Sequence, residues 1–305
     1  MTRPAMSEGR TAHIAWRLHR HTGNATGASN ATGTGDHDDG GTGGPPALLL
    51  LHGFTDSAAC WEPVVPALAG HGGIGGIGGI GGIGGIGGIV ATDARGHGDS
   101  GLPDGPVGSE RHAADQALVL DDLGVTEPVV VIGHSMGALT ALTLAATRPE
   151  LVAALVLEDP PPYGMGAGPR GVPSWLADLR ALDLPGRVAY AREHHPAWGE
   201  AELPPWALSK EQIDPRYCER PGTALDPLHD LAPDVRCDTL LVYGDADLGG
   251  MVTDADADTF RKAAAGTVTT VRVPGAGHNV RRDTAGAYLR AVRAFLDEVR
   301  PRPPH

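Results

Sequence analysis

VVVIGHSMGALTALTLAA, residues 129–146, decides the fold of this chain. Val129–Ile132 is an unbroken apolar run, the pattern of a strand covered on both faces. Gly133-His134-Ser135-Met136-Gly137 follows, and a helical stretch rich in Ala and Leu continues to Thr147. This is G-x-S-x-G in the strand-to-helix context that gives the motif its meaning. Glycines two before and two after the serine permit a sharp turn that a Cβ would obstruct. Such a turn lifts the Ser135 hydroxyl above the sheet edge, where the helix presents its positive end and its free N–H groups.

The same strand type as PVVVIG (128–133) recurs on either side, at ALLLLHG (47–53), IVATDA (89–94), AALVLED (153–159), TLLVYGD (239–245) and TVTTVRV (267–273). Helical stretches lie between most of them: about 61–70, Ser109–Leu123, Met136–Thr147 and Asp283–Val299. That alternation predicts an α/β fold with a mostly parallel sheet flanked by helices. Ile14, Trp16 and Leu18 alternate with polar neighbours, as in a half-buried edge strand. Residues 160–237 break the rhythm, with many prolines, Trp175, Trp198 and Trp206, and no long apolar strand. They read as a helical cap inserted into a core made of 1–159 and 238–305.

Glycine is in excess, at 45 of 305 residues, and the excess is local. It falls at 22–44, read as a flexible linker, and at 72–89, six Gly-Gly-Ile units in a row. A repeat expansion is tolerated in a surface loop, since each doubling of loop length costs only about 0.6 kcal/mol. Both insertions are expected at the N-terminal ends of parallel strands. Ligand sites lie at the carboxyl ends, so neither tract should touch the site.

The formal charge is −13, with 24 basic and 37 acidic residues and no basic run. That balance excludes a phosphate-backbone binder, and so a nucleic-acid partner. Only Lys210 and Lys262 are lysines, which leaves few candidates for a catalytic lysine. Cys60, Cys218 and Cys237 have neither CxxC nor zinc-finger spacing and read as reduced thiols. No signal-peptide core or bilayer-length apolar run is present, so a cytoplasmic protein with no membrane partner is expected. Asp254, Asp256 and Asp258 alternate as in a calcium loop, but Thr259 and Ala265 stand where Gly and Glu are required. No metal site is assigned there, or to His194-His195, or to the acidic cluster Asp36–Asp39. No dinucleotide or Walker glycine pattern precedes a helix, so no cofactor is implied.

A serine needs a base to remove its proton as it attacks. His278 stands directly after the last strand, in the Gly-flanked loop PGAGHNV. Asp245 and Asp247 follow the strand before it, and Asp159 follows the strand before that. Each of the three aspartates is a candidate partner for His278. An oxyanion hole requires two N–H groups aimed at one carbonyl oxygen. The Met136 amide, just after the serine, and the Phe54 amide, after the strand ALLLL, are the candidates.

The series LLLLHGF, DARGHGDS, GHSMG, GDAD and GAGH resembles the α/β-hydrolase superfamily, in the capped branch of esterases, cofactor-free haloperoxidases and carbon–carbon bond hydrolases. The resemblance covers about 47–159 and 238–299. It implies an eight-stranded, mostly parallel sheet with a cap after the sixth strand, and a Ser-Asp-His triad. The family's G-x-x-D spacing after the seventh strand implies Asp247 as the acid, beside Ser135 and His278. Its HG motif maps onto His52-Gly53 and implies Phe54 as an oxyanion donor with Met136. Asp93–Gly98 matches a loop that is structural in the family, so His97 is given no catalytic role. The family's first strand is expected to be short or absent, because only MTRPAMSEGR precedes the strand at 13–18. The implied activity is hydrolysis of a carboxylic ester or similar acyl substrate, a small molecule. The alternatives are carbon–carbon bond hydrolysis or perhydrolase chemistry with the same triad, and a non-catalytic scaffold. Dienol substrates of carbon–carbon hydrolases would call on Arg170, Arg180, Arg187 or Arg192 in the cap.

Overall fold

A computed structural model of the chain describes residues 5–20, 48–69, 88–162, 171–222 and 227–299. The Gly-rich tracts lie outside these residues, apart from Gly88 and Ile89 at the end of the second. Ile89 is buried and opens a strand rather than closing a loop.

The apolar runs form the strands. β1 (Ala5–Thr11), β2 (Ile14–Arg20), β3 (Leu48–Leu51) and β4 (Ile89–Thr92) are followed by β5 (Val129–His134), β6 (Val152–Glu158), β7 (Asp238–Tyr243) and β8 (Val268–Arg272). They make one eight-stranded sheet in the order β1-β2-β4-β3-β5-β6-β7-β8. β2 pairs antiparallel with β1 and β4, and all the other pairs are parallel.

The expectation of a short or absent first strand is wrong. β1 pairs with β2 along its whole length, from Ala5 opposite Arg20 to Thr11 opposite Ile14. Its sequence carries no apolar alternation because it is the sheet's outer edge, where most of its side chains meet water. Gly9 serves the pairing directly, since the Trp16 ring lies where a Cβ at Gly9 would be.

Period-two alternation sorts the central strands onto two helical layers. Leu49, Leu51, Val131, Leu155 and Leu241 pack with α2 (Ser109–Asp122), α3 (Met136–Thr147) and α8 (Asp254–Ala263). Leu48, Leu50, Ile132, Val156 and Val242 face the other way, towards Trp61, α1 (Val65–Ala69), α9 (Val280–Asp283) and α10 (Ala285–Glu298). The helix expected at 283–299 is α10, and the short α9 precedes it, separated by Thr284, whose φ is −143°.

Between β6 and β7 the chain adds α4 (Ser174–Ala181), α5 (Leu184–His194), α6 (Leu203–Gln212) and the one-turn α7 (Pro227–Asp230). This inserted segment has its own core of Leu179, Ala191, Trp198, Leu203, Trp206 and Ala207. Cys60, Cys218 and Cys237 are buried and form no disulfide among the described residues.

Removing a core side chain tests the layer assignment. Leu142 on α3 is fully buried, so Leu142→Ala is expected to lower unfolding free energy by about 2–5 kcal/mol. Leu118 on α2 is 52% exposed, and Leu118→Ala should stay within about 0.5 kcal/mol of wild type in the same denaturant titration.

Candidate active site

The turn between β5 and α3 has the strained geometry the motif requires: Ser135 adopts φ 52° and ψ −116°. A Cβ at Gly133 would overlap the Gly137 carbonyl, and one at Gly137 would overlap the Leu51 carbonyl. Backbone contact on both sides therefore forces glycine at both positions. The Ser135 amide donates to the Glu158 carbonyl at 2.9 Å, and its own carbonyl accepts from Ala138 at 2.9 Å to start the helix. The hydroxyl makes no capping bond to α3, which leaves it available for chemistry.

His278 follows β8 and is held from two sides. The His134 ring donates through Nε2 to the His278 carbonyl at 3.0 Å, next to Ser135 in the chain. His278 Nδ1 meets Asp159 Oδ2 at 2.6 Å. With Nδ1 engaged by a carboxylate, Nε2 is the ring nitrogen left to accept a proton. Asp159 itself is fully buried at the carboxyl end of β6, with a left-handed φ of 43°. It also accepts the Met251 N–H at 2.8 Å and the Val252 N–H at 3.2 Å.

The carboxylate beside His278 is therefore Asp159 and not Asp247. Asp247 lies exposed on the 3-10 turn Ala246–Leu248, with no bond to His278. The reason is the path of the loop after β7. It reverses at Gly249, φ 91°, and returns so that Met251 and Val252 run past Asp159. The loop thus gives N–H donors to the carboxylate that follows β6. Asp245 closes the neighbouring loop, accepting from Arg272 Nε at 2.9 Å and from the Gly275 amide at 2.8 Å. The Gly275 N–H, and then Arg272, hold its carboxyl below the usual range.

The two expected oxyanion donors come together across the same turn. A Cβ at Gly53 would lie 2.7 Å from the His134 ring and 3.3 Å from Ser135 Cβ, so the Gly53–Phe54 backbone rests on the Ser135 turn. Met136 is the first residue of α3, where an N–H has no acceptor within the helix. Neither amide has an acceptor among the described residues.

Above this edge the inserted segment lays an apolar surface. Trp175 stands edge-on to Phe54 at 6.5 Å, and the Tyr217 ring lies 6.0 Å from Phe54. The Tyr217 hydroxyl is 3.3 Å from Met136 Sδ and 2.9 Å from His112 Nε2. Trp198 and Trp206 belong instead to the insertion's own core. His97 is buried against Tyr217 at 4.7 Å and bonds the Arg95 carbonyl through Nδ1, a structural placement.

A buried ionic cluster escaped sequence reasoning entirely. Asp56 meets Lys210 Nζ at 2.9 Å, Arg282 at 2.9 Å and Arg281 at 3.4 Å. Arg281 also holds Glu158 at 3.1 Å, and Arg282 holds Glu202 at 3.2 Å. All six side chains are buried. Burial alone would push the Asp56 carboxyl up, but Arg282, Lys210 and Arg281 together hold it well below the usual range. Burial pushes Glu158 up despite Arg281. The sequence signals were faint: one of only two lysines, and an Arg-Arg pair three residues after His278.

A model of the Alpha/beta hydrolase family matches residues 48–299. The chain belongs to the alpha/beta hydrolase family. Among its relatives, 2-(acetamidomethylene)succinate hydrolase of Mesorhizobium japonicum is 26% identical over 271 residues, 84% of this chain and 89% of that one. An esterase of Mycobacterium tuberculosis is 27% identical over 276 residues, 84% of each chain. Matches to the sn-1-specific diacylglycerol lipase of Mus musculus and to Lipase LipV of Mycobacterium tuberculosis take in only 43% and 56% of those proteins. The crystal structure of E-2-(acetamidomethylene)succinate hydrolase shares the fold at a TM-score of 0.66, 22% identity, and 96% and 99% coverage of the two chains.

Within this alpha/beta hydrolase no three His, Cys, Asp or Glu side chains are grouped to hold a metal ion, among the described residues. Asp256 closes a capping box with Thr253 at the start of α8, while His194 and His195 stack on Tyr190 and Trp198. The acidic cluster at Asp36–Asp39 lies outside the described residues. No helix among them is long and apolar enough to cross a membrane.

Four buried histidines around the site make its hydrolase fold sensitive to acid. Burial holds His52, His97, His112 and His134 below the usual value, His112 down to about 3. A depressed folded value means the unfolded chain binds these protons first, so stability is complete above about pH 6.5. It falls as pH drops from there, for His112 by on the order of 1 kcal/mol per pH unit down to about 3, and the other three histidines act in the same direction. Melting temperature measured from pH 8 to pH 4 should drop steeply below 6.5, and His112→Gln should flatten the slope.

Proposed function

We propose that this alpha/beta hydrolase is a serine hydrolase that cleaves a carboxylic ester or similar acyl substrate, with the inserted segment as its cap. The Asp159–His278 contact at 2.6 Å, at the sheet edge that carries the strained Ser135 turn, is the observation that supports it most directly. Ser135 Oγ attacks the carbonyl carbon while His278 Nε2 takes its proton. Asp159 fixes the imidazole tautomer through Nδ1–H and stabilises the imidazolium that forms. The Phe54 and Met136 amides receive the oxyanion of the tetrahedral intermediate. His278 returns the proton to the leaving alkoxide, and water then attacks the acyl-enzyme by the same steps. Relatives spanning more than four fifths of the chain include a hydrolase and an esterase by name, which is consistent with acyl chemistry.

Ester hydrolysis is favoured over cleavage of an acidic dienol by the disposition of the arginines. Arg187 is tied to Glu211 at 2.6 Å and Arg192 to Glu200 at 2.7 Å, while Arg180 donates to the Ile213 carbonyl at 2.9 Å. Arg170 lies outside the described residues. What faces Phe54 and Met136 is instead the apolar group Val107, Leu176, Ile213 and Tyr217. That surface suits an apolar or aryl acyl chain.

Hydrolysis of p-nitrophenyl butyrate, with fluorophosphonate labelling read by intact mass, tests the assignment. Wild type is expected to label once and to turn over, and Ser135→Ala to do neither. Asp159→Asn should cost about 10⁴ in kcat, the loss expected when the acid that fixes a catalytic histidine is neutralised. Asp247→Asn should remain within about twofold of wild type, as expected of an exposed side chain with no tie to His278. A large loss in Asp247→Asn with none in Asp159→Asn would reverse the choice of acid.

A further inference from the structure

The buried cluster carries a role beyond charge balance, and the key is Lys210. This lysine sits on α6 of the inserted segment, yet its ammonium reaches the sheet edge. Nζ bonds the Thr55 carbonyl at 3.2 Å, the Thr55 hydroxyl at 2.9 Å and Asp56 Oδ1 at 2.9 Å. An ammonium has three N–H donors, and all three acceptors lie on two consecutive residues.

Those residues belong to a tight turn. The Asp56 amide donates to the Gly53 carbonyl at 3.1 Å, enclosing Phe54 and Thr55. Thr55 takes φ 65°, at the position of such a turn where glycine is usual. A β-branched residue adopts that conformation only when its surroundings hold it there. Asp56 is already neutralised by Arg281 and Arg282. What Lys210 adds is the pair of bonds to Thr55, next to the amide of Phe54. The other end of α6 is anchored as well, through Glu202 to Arg282 at 3.2 Å.

We propose that Lys210 is a positioning residue, which clamps the Thr55–Asp56 turn from the inserted segment and so keeps the Phe54 amide aimed into the oxyanion hole. The hole is then complete only while α6 is seated on the sheet. This rests on the serine-hydrolase reading, with Phe54 as an oxyanion donor.

The test compares wild type, Lys210→Met and Thr55→Val in kcat and KM for p-nitrophenyl butyrate, and in inhibition by a short alkyl trifluoromethyl ketone. The ketone forms a hemiketal oxyanion on the nucleophile and so reports the hole itself. Lys210→Met should lower kcat about 10- to 100-fold, the scale for a misplaced oxyanion donor, with KM within about threefold. Ketone affinity should weaken by a similar factor. Thr55→Val, which deletes one of the three acceptors, should show the same pattern at about 3- to 10-fold. A folded Lys210→Met with wild-type kcat, or with lost kcat and unchanged ketone affinity, overturns the positioning role. If Lys210→Met does not fold, Thr55→Val decides: wild-type kcat and ketone affinity there overturn it. Failure of wild type to turn over or to label at Ser135 removes the hydrolase reading and this role with it. An active wild type with unaffected variants removes this role alone.

Discussion

Asp56 is the carboxylate on which the carboxyl edge of the sheet depends. Removed from water, it must be paired, and it is paired with cations from two different parts of the chain. Lys210 comes from the inserted segment, and Arg281 and Arg282 from the loop and short helix that follow His278. Each cation then makes a second demand, so that Thr55, Glu158 and Glu202 are drawn in. Three cations and three carboxylates balance, and all three cations also lie over tryptophan rings: Lys210 on Trp206, Arg281 on Trp61 and Arg282 on Trp198. Breaking such a set at one member leaves an uncompensated buried charge, which costs far more than the intact set contributes. Surface pairs such as Arg192–Glu200 carry no comparable constraint, because water replaces either partner.

The same cluster ties together loops that are far apart in sequence. Glu158 is bonded by the Arg281 side chain and by the Arg281 amide at 2.8 Å. Its own carbonyl receives the Ser135 amide, and Asp159 is its neighbour. A shift of Arg281 would therefore be felt at the Ser135 turn, at the carboxylate beside His278 and, through Asp56, at the Phe54 loop. Elsewhere the edge is fixed by backbones in contact: Gly244 and Gly277 let the loops after β7 and β8 touch without side chains between them. Ionic pairing and glycine contact together tie these loops to one another.

How much of this was legible follows from the range of each interaction. The strands and helices of the core were legible because burial on one or both faces writes a period into adjacent residues. β1 was not, because an outer edge strand buries too little to carry that period, and Gly9 hides beneath Trp16. Ser135 was legible because the constraints on its turn are local, in glycines two residues away on each side. The ionic cluster was invisible, since its members are spread from Asp56 to Arg282 and no spacing rule joins them. Asp159 was one of three possible partners for His278, and a spacing rule pointed to Asp247. That rule assumes the loop after β7 goes straight to the histidine, and one reversal at Gly249 breaks the assumption.

The position of the carboxylate beside His278 has a physical consequence of its own. A carboxylate carried two or three residues into a loop is only as well placed as the loop. Asp159 instead follows directly on a strand, with its amide bonded to the Val242 carbonyl on the next strand at 2.8 Å. Groups mounted on regular elements hold their geometry more tightly than groups on loops. The cost is a left-handed non-glycine backbone, of order 1–3 kcal/mol, at Asp159 and again at Ser135. Strain of this kind persists only where the surroundings fix it, and here both residues are fixed through Glu158: one is its chain neighbour, the other bonds its carbonyl. The loop after β7 contributes two N–H groups to Asp159, and Asp247 is left to solvent.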